Sequence, residues 1–320
     1  MTKRESLKAG LREAEALREE GRFEAALAIL DAIAADPACG VLGPATVLGL
    51  PRPLHSAYLK VAKRRGDPIA RVGYQHTLVP PPGLLAPFGR FSAEERRALA
   101  EAGRTPVPRV LHQVWIGTAA VPAATVAWAD HAARHGYEYR LWREPELAAT
   151  GIDGHPVFRA MLSAGDLPGA VDVARYLILQ RFGGIYLDCD WYPARQDVPF
   201  DAVLPMVGLS VLAEDIPRDT GAGSLLLANS FIAAPPGHPV FQRILDALPA
   251  VAEILPGAPA WWSTGPLLFT VVCRGGAVTV ADAALVAGAV PRRAPVEAVL
   301  ALCEKAERED GGLLVAWKPW

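Results

Sequence analysis

The sequence predicts an α/β domain built on a largely parallel sheet, preceded by an N-terminal helical region. Three observations carry this. From about residue 109, short apolar strand-like runs alternate with helical stretches, the pattern of a sheet covered by helices. Before that point apolar residues recur at helical spacing. The block GGIYLDCDWY (183–192) then sets a chain reversal, a short strand and two acids in immediate succession.

The helical region comes first. Leu7, Leu11, Ala14 and Leu17 share one helical face, Gly21-Arg22-Phe23 interrupts it, and Ala26, Leu27, Leu30 and Ile33 resume it until Asp36-Pro37. Ala14, Gly21, Phe23, Ala26 and Pro37 are spaced as in a tetratricopeptide-type repeat. No second copy follows, and a lone repeat builds no solenoid, so the segment reads as a plain helical hairpin packed on the next domain. A further helix is expected over 54–65. LVPPPGLLAPFGRFS (78–92) reads as a connector, and a charged helix follows over about 92–102. The expected division is 1–77 helical, 78–105 connector and helix, and 106–320 the α/β domain.

Within that domain RVLHQVWIG (109–117) reads as a buried strand running into a loop. Residues 122–134 read as a helix, YEYRLW (137–142) as a strand, 168–182 as a helix, and GGIYLD as the next strand. Further strands are expected within 203–212 and 224–234, and helices near 238–248 and 265–273. In such sheets ligands bind beyond the carboxyl ends of the strands. Trp115 and the Asp188/Asp190 pair lie there.

Gly183-Gly184 allows the reversal, and Ile185-Tyr186-Leu187 favours an extended chain. If the extension continues, Asp188 and Asp190 share a face about 6–7 Å apart, with Cys189 turned away. Carboxylates that close disfavour each other's ionisation. A hard divalent cation such as Mg²⁺ or Mn²⁺ removes the conflict. Asp-x-Asp alone is as readily a solvated turn, so the neighbours decide.

Composition narrows the function classes. A net charge of −2 and a pI near 6.4 leave no basic footprint for nucleic acid. Four scattered cysteines without a CxxC argue against a disulfide framework or a zinc site and suit a reducing cytoplasm. The start, MTKRESLKAGLREAEALREE, reads as a charged helix rather than a signal peptide, and no apolar run reaches the roughly 18 residues of a membrane span. The expected location is cytoplasmic, with peripheral membrane attachment left open.

Five segments in order, LHQVWIG, YEYRLW, VDVARYLILQRFGGIYLDCD, NSFIAAPPGHPVF and STGPLLF, resemble the glycosyltransferases with a DXD sugar-binding region. That family includes the yeast initiating α-1,6-mannosyltransferase and many bacterial capsule-type enzymes, and is more distantly similar to the glucosylating domain of clostridial toxins. The resemblance covers about residues 109–270. It implies a GT-A fold, a UDP- or GDP-hexose donor, Mn²⁺ or Mg²⁺, and transfer with retention. Asp190 would be the metal ligand, and Asp188 would hold ribose or sugar hydroxyls and reach the metal through water. Asp172 and Arg175, on one helical face in an otherwise apolar helix, would contact the donor sugar; the plain alternative is an i,i+3 ion pair. Trp115 would stack on the base. Tyr186 shares a face with Asp188 and either meets the donor or packs in the core. Asn229, with Ser230, ends an apolar strand and would meet donor or acceptor. Ser263-Thr264-Gly265-Pro266 reads as a helix start. His112 is expected to be a core histidine.

One departure stands out. Relatives often carry a histidine or asparagine with tryptophan near the C-terminus, helping to hold metal or diphosphate. Here the sequence reads AWKPW, with no histidine after His238. Lys318 is then the candidate to neutralise phosphate, and the third metal ligand is open. The acceptor implied is a glycan or glycolipid. Two competing readings are a glycoside hydrolase using a carboxylate pair and a non-catalytic sugar- or nucleotide-binding module.

Overall fold

The computed structural model describes residues 2–216, 218–220 and 225–320. The chain forms two compact units, Met1–Ala86 with Glu214–Leu226, and Pro87–Ala213 with Leu227–Trp320.

The first unit is helical. α1 (Lys3–Glu19) begins at a capping box between Thr2 and Glu5, and α2 (Phe23–Ala35) follows after Gly21 turns the chain at φ 76°. α3 (Arg52–Arg65) ends at a left-handed Gly66, and α4 (Pro68–Thr77) starts on Asp67, which caps the Ala70 N–H. Leu7, Ala14, Ala26, Leu30, Ile33, Leu54, Tyr58 and Val61 form its core. Tyr58 stacks on Tyr74 and donates to Asp31 at 2.6 Å. α4 escaped the sequence reading because PIARVGYQHT is only ten residues long and carries Gly73 and the β-branched Ile69 and Val72, all weak helix formers; Pro68 at its first position is no obstacle.

The second unit is α/β. α5 (Ala93–Ala102) leads to β1 (Val110–Val114), α6 (Ala123–His135) and β2 (Glu138–Trp142). Then come α7 (Glu144–Ala149), α8 (Pro156–Ser163), α9 (Leu167–Phe182), β3 (Gly184–Leu187) and β4 (Trp191–Pro193). α10 (Phe200–Val203), β5 (Ser210–Ala213), β6 (Leu227–Ala234), α11 (Pro239–Ile254), α12 (Ala260–Ser263) and α13 (Pro266–Cys273) follow. β7 (Thr279–Val280), β8 (Val286–Ala289), α14 (Val296–Arg308) and β9 (Leu314–Ala316) complete it. None of these helices is long and apolar enough to cross a membrane.

The main sheet runs β2-β1-β3-β6-β5-β7, and β4-β9-β8 forms a second, three-stranded sheet. β1 pairs in parallel with both β2 and β3, whereas β6 runs antiparallel to β3 and β5. The sheet is therefore mixed, with parallel pairings at β2-β1-β3 and at β5-β7 and the antiparallel β6 between them. The strand expected over 203–212 shrinks to Ser210–Ala213. Pro205 carries no N–H for a ladder, and Met206 and Gly208 take positive φ, so the chain turns there instead of extending. The strand expected over 224–234 starts at Leu227, and residue 224 lies outside the described residues.

One face of the sheet buries Leu111, Ile185, Leu187, Phe231 and Ala233 with Trp128 and Phe200. On helices α9, α11 and α13, Tyr176 stacks on Phe241 and Phe269. Because Leu111 and His112 pair with Ile185 and Tyr186, β1 and β3 end side by side. The segments that leave them, Trp115 onward and Asp188 onward, start from adjacent points.

Candidate active site

Gly183 and Gly184 make the reversal from α9 into β3. Both take positive φ, 62° and 99°. A Cβ at Gly183 would lie 2.5 Å from the Pro236 nitrogen, and one at Gly184 would lie 2.6 Å from the Val110 oxygen. Only glycine fits either place. His112 braces the turn from below. Its Nδ1 accepts the Trp142 indole N–H at 3.0 Å, which leaves Nε2 to donate to the Gly183 carbonyl at 2.9 Å. Both ring nitrogens are thus used in the neutral form, and burial pushes the imidazole pKa down to about 4. His112 is a core histidine.

The strand stops at Leu187, which corrects the extended geometry expected for the two acids. Asp188-Cys189-Asp190 is a turn: the Asp188 carbonyl accepts the Trp191 N–H at 3.1 Å, and the Asp188 N–H donates to the Ser230 carbonyl at 2.9 Å. The turn, not strand alternation, places the carboxylates. Cys189 is buried and directs its Sγ to the Val114 carbonyl at 3.4 Å. The side chains of Asp188 and Asp190 keep 27% and 32% of their surface in solvent.

Behind Asp188 lies a buried polar network in which Arg175 Nε is left without a partner among the described residues. Arg175 Nη2 sits 3.0 Å from both Asp172 Oδ1 and Asp188 Oδ1, so one guanidinium bridges the two carboxylates. Its other arm donates to the Asn229 carbonyl, and its plane covers the Tyr186 ring at 4.7 Å. Asp172, 6% exposed, accepts the Asn229 side-chain N–H on Oδ1 and the Thr264 hydroxyl on Oδ2, each at 2.8 Å. Asn229 also donates to the Tyr176 hydroxyl, which donates to the Thr264 carbonyl. Tyr186, fully buried, donates its hydroxyl to Asp188 Oδ1 at 2.8 Å. Burial raises the Asp172 pKa to about 6 against the pull of Arg175 and Thr264. Burial also opposes the charge on Arg175, but Asp188, Tyr186 and Asp172 outweigh it, and the guanidinium stays protonated.

Asp190 stands apart from this network and faces a cleft of about 310 Å³ lined by Trp191, Ser230, Arg292, Trp317 and Lys318. Burial and the neighbouring Asp188 raise its pKa to about 6, and Lys318 partly offsets them. β4 and β9 bring Lys318 here. Trp191 pairs with Ala316, the Trp317 N–H donates to the Asp190 carbonyl at 2.7 Å, and Lys318 Nζ comes within 3.9 Å of Asp190 Oδ2. Trp115 donates its indole N–H to the Ala119 carbonyl and meets the Trp320 ring edge-on at 4.8 Å.

Of the residues singled out in the sequence, the structure gathers Asp190 and Lys318 at one cleft, with Asp188 two residues away on the same turn and Trp115 linked to Lys318 through Trp320. Asp172, Arg175, Tyr186 and Asn229 form a second layer that holds Asp188 from behind. Arg292 was not singled out. It lies in a Pro-Arg-Arg loop with no local pattern, and only the pairing of β8 with β9 brings that loop to the cleft.

Two carboxylates suit a hard cation. Asp188 Oδ2 takes no protein hydrogen bond among the described residues, and Asp190 faces only the loosely placed Lys318. No group of three acidic, histidine or cysteine side chains is set to hold a metal among the described residues. The set therefore fits a cation that keeps much of its shell for water and substrate phosphates, as Mg²⁺ commonly does.

Comparison with known proteins returns the family read from the sequence. Residues 149–205 match the model described as a glycosyltransferase sugar-binding region containing DXD motif. Inositol phosphoceramide mannosyltransferases 3 and 2 of Schizosaccharomyces pombe are 26% and 28% identical, each over 52% of this chain and over 44% and 46% of their own lengths. Mannosyl phosphorylinositol ceramide synthase CSH1 of Saccharomyces cerevisiae is 28% identical over 52% of this chain and 43% of its own. The chain thus spans less than half the length of these curated relatives. Among solved structures, the PaToxG glycosyltransferase is similar over 63% of this chain and 79% of its own, at 15% identity and a TM-score of 0.42.

Proposed function

We propose that this chain, which carries a DXD sugar-binding region, transfers a hexose from a UDP- or GDP-sugar to a glycan or glycolipid with retention, using a divalent cation. One observation carries the reading: Asp188 is locked from behind by Arg175 and Tyr186, while Asp190, on the same turn, opens into a cleft that also holds two cationic side chains.

Asp190, with Asp188 Oδ2, would hold the cation. Bound there, it stabilises negative charge on the leaving diphosphate. Arg175 and Tyr186 fix the Asp188 carboxylate so that its free oxygen keeps one direction. Asp188 and Asp190 lie on one turn, and no other carboxylate lines the cleft among the described residues, so no opposed pair of the hydrolase kind flanks a bond there. That arrangement supports same-face transfer. The acceptor oxygen bonds to the anomeric carbon, the bond from that carbon to the phosphate oxygen breaks, and the acceptor proton passes to the leaving phosphate. Two relatives are named as inositol phosphoceramide mannosyltransferases, so mannose is the first sugar, and inositol phosphoceramide the first acceptor, to test.

Calorimetry with UDP, GDP and CMP, in Mn²⁺ and in EDTA, tests the reading. The expected result is one nucleotide that binds only with metal, and whose binding is lost in Asp190→Ala. Absence of metal-dependent binding of any nucleotide would overturn it in favour of a hydrolase or a non-catalytic module.

A further inference from the structure

The cation nearest Asp190 is held differently from every other charge at the site. Arg175 is clamped at 3.0 Å between two carboxylates and is 4% exposed. Lys318 is 47% exposed on its side chain, 3.9 Å from Asp190 Oδ2, and 5.5 Å from the centre of the Trp320 ring. Neither distance is a hydrogen bond. Its backbone, by contrast, is fixed: the Arg293 N–H donates to the Lys318 carbonyl at 2.8 Å, and the preceding Trp317 is tied to Asp190 by its N–H and to the Ala294 carbonyl by its indole. A flexible four-carbon stem on a fixed anchor lets the ammonium swing without moving the strand.

From this geometry we infer that Lys318 is an exchangeable counter-ion. It neutralises Asp190 in the free protein and moves to the diphosphate when the nucleotide arrives, vacating the carboxylate for the divalent cation. The inference rests on the function proposed above and adds a role for one residue. Physically, a +1 charge about 4 Å from the carboxylate repels a +2 ion entering the same place. A diphosphate gives the ammonium a stronger acceptor and removes the repulsion. Arg292, on the same cleft, keeps its Nε on the Trp320 carbonyl at 2.7 Å and adds a second positive charge there. Metal and nucleotide then strengthen each other's binding by one common factor, as linkage demands.

Lys318→Met separates this from a passive surface charge. Mn²⁺ binding is measured by calorimetry and by the free-ion electron paramagnetic resonance signal, with and without the nucleotide that the wild type selects. In Lys318→Met, Mn²⁺ alone should bind about two- to fivefold tighter, the scale of losing one half-exposed ion pair. The nucleotide should bind more weakly, and the factor by which nucleotide tightens Mn²⁺ should shrink. Lys318→Arg, which keeps a charge, should leave Mn²⁺ alone bound as in the wild type. Unchanged Mn²⁺ affinity and coupling in Lys318→Met, with metal-dependent nucleotide binding intact, would overturn the exchange while leaving the transferase reading standing. No nucleotide binding by the wild type in Mn²⁺ overturns both.

Discussion

At the scale of residues, the site is organised around one guanidinium. Arg175 separates Asp172 from Asp188, and every oxygen of Asp172 has a donor. Arg175→Met should therefore cost more than a lost hydrogen bond. It leaves a nearly fully buried carboxylate beside a second one with no cation between them, which typically costs about 3–5 kcal/mol. Thr264→Val removes one donor and keeps the ion pair, so about 1–3 kcal/mol is expected. Urea unfolding of both variants checks the order; equal losses would mean that Arg175 is not the keystone. Asp172 and Arg175 were legible in the sequence because two charges in an apolar helix need partners. Their partners were not, since Asn229 and Thr264 arrive from β6 and from the α12–α13 turn, far along the chain. The split between a front layer and a supporting layer is equally invisible there, because depth is set by tertiary packing.

At the scale of elements, the turn from α9 into β3 fixes where the acids emerge. Gly184→Ala must accommodate a side chain at φ 99° and a Cβ 2.6 Å from the Val110 oxygen. Backbone strain of this kind costs about 1–3 kcal/mol before the clash is counted. Since β1 and β3 pair at that point, the loss should also disturb the acids. The expected outcome is a lowered melting temperature together with weaker metal-dependent nucleotide binding; a melting temperature equal to the wild type would refute it. Most of the longer helices and strands from 109 to 273 were readable because their apolar periods are clear, whereas the short α7, α8, β4, α10 and α12 were not read. The 188–190 turn was not, because Asp-Cys-Asp carries no glycine or proline to announce it, and only the Trp191 N–H bonding to the Asp188 carbonyl shows the bend. β8 and β9 are three or four residues each, too short for a period to register, although β9 is the strand that delivers Lys318.

At the scale of the molecule, the α/β unit hides more titratable nitrogen than its composition suggests. His112, His131 and His238 are buried, and burial pushes each pKa down to about 4, with the cations around His131 adding to it. A folded pKa below the unfolded value of about 6.5 means that the unfolded chain binds the proton first. The stability from these neutral histidines is therefore complete above about pH 6.5 and is lost as pH falls towards 4. Asp172 and Asp190 act with the opposite sign: raised to about 6 in the fold, they regain stability as pH drops from about 6 towards their usual range. His155, also lowered by burial, and Asp197, held down by Arg195, act in the same direction as the three histidines, so the two acids are outweighed and acidification leaves a net loss. All eight tryptophans lie in this unit, so tryptophan fluorescence follows its unfolding selectively. His238 is the residue to remove, since its Nδ1 accepts only the Val240 N–H and its Nε2 is buried without a partner. In EDTA, urea-unfolding series from about pH 6 to pH 4.5 should show the wild type losing stability as pH falls. His238→Asn, which keeps an acceptor at the start of α11, should lose about 1.4 kcal/mol less per pH unit, one histidine's share. Parallel profiles for the two proteins would mean that His238 titrates in the fold as it does in the unfolded chain.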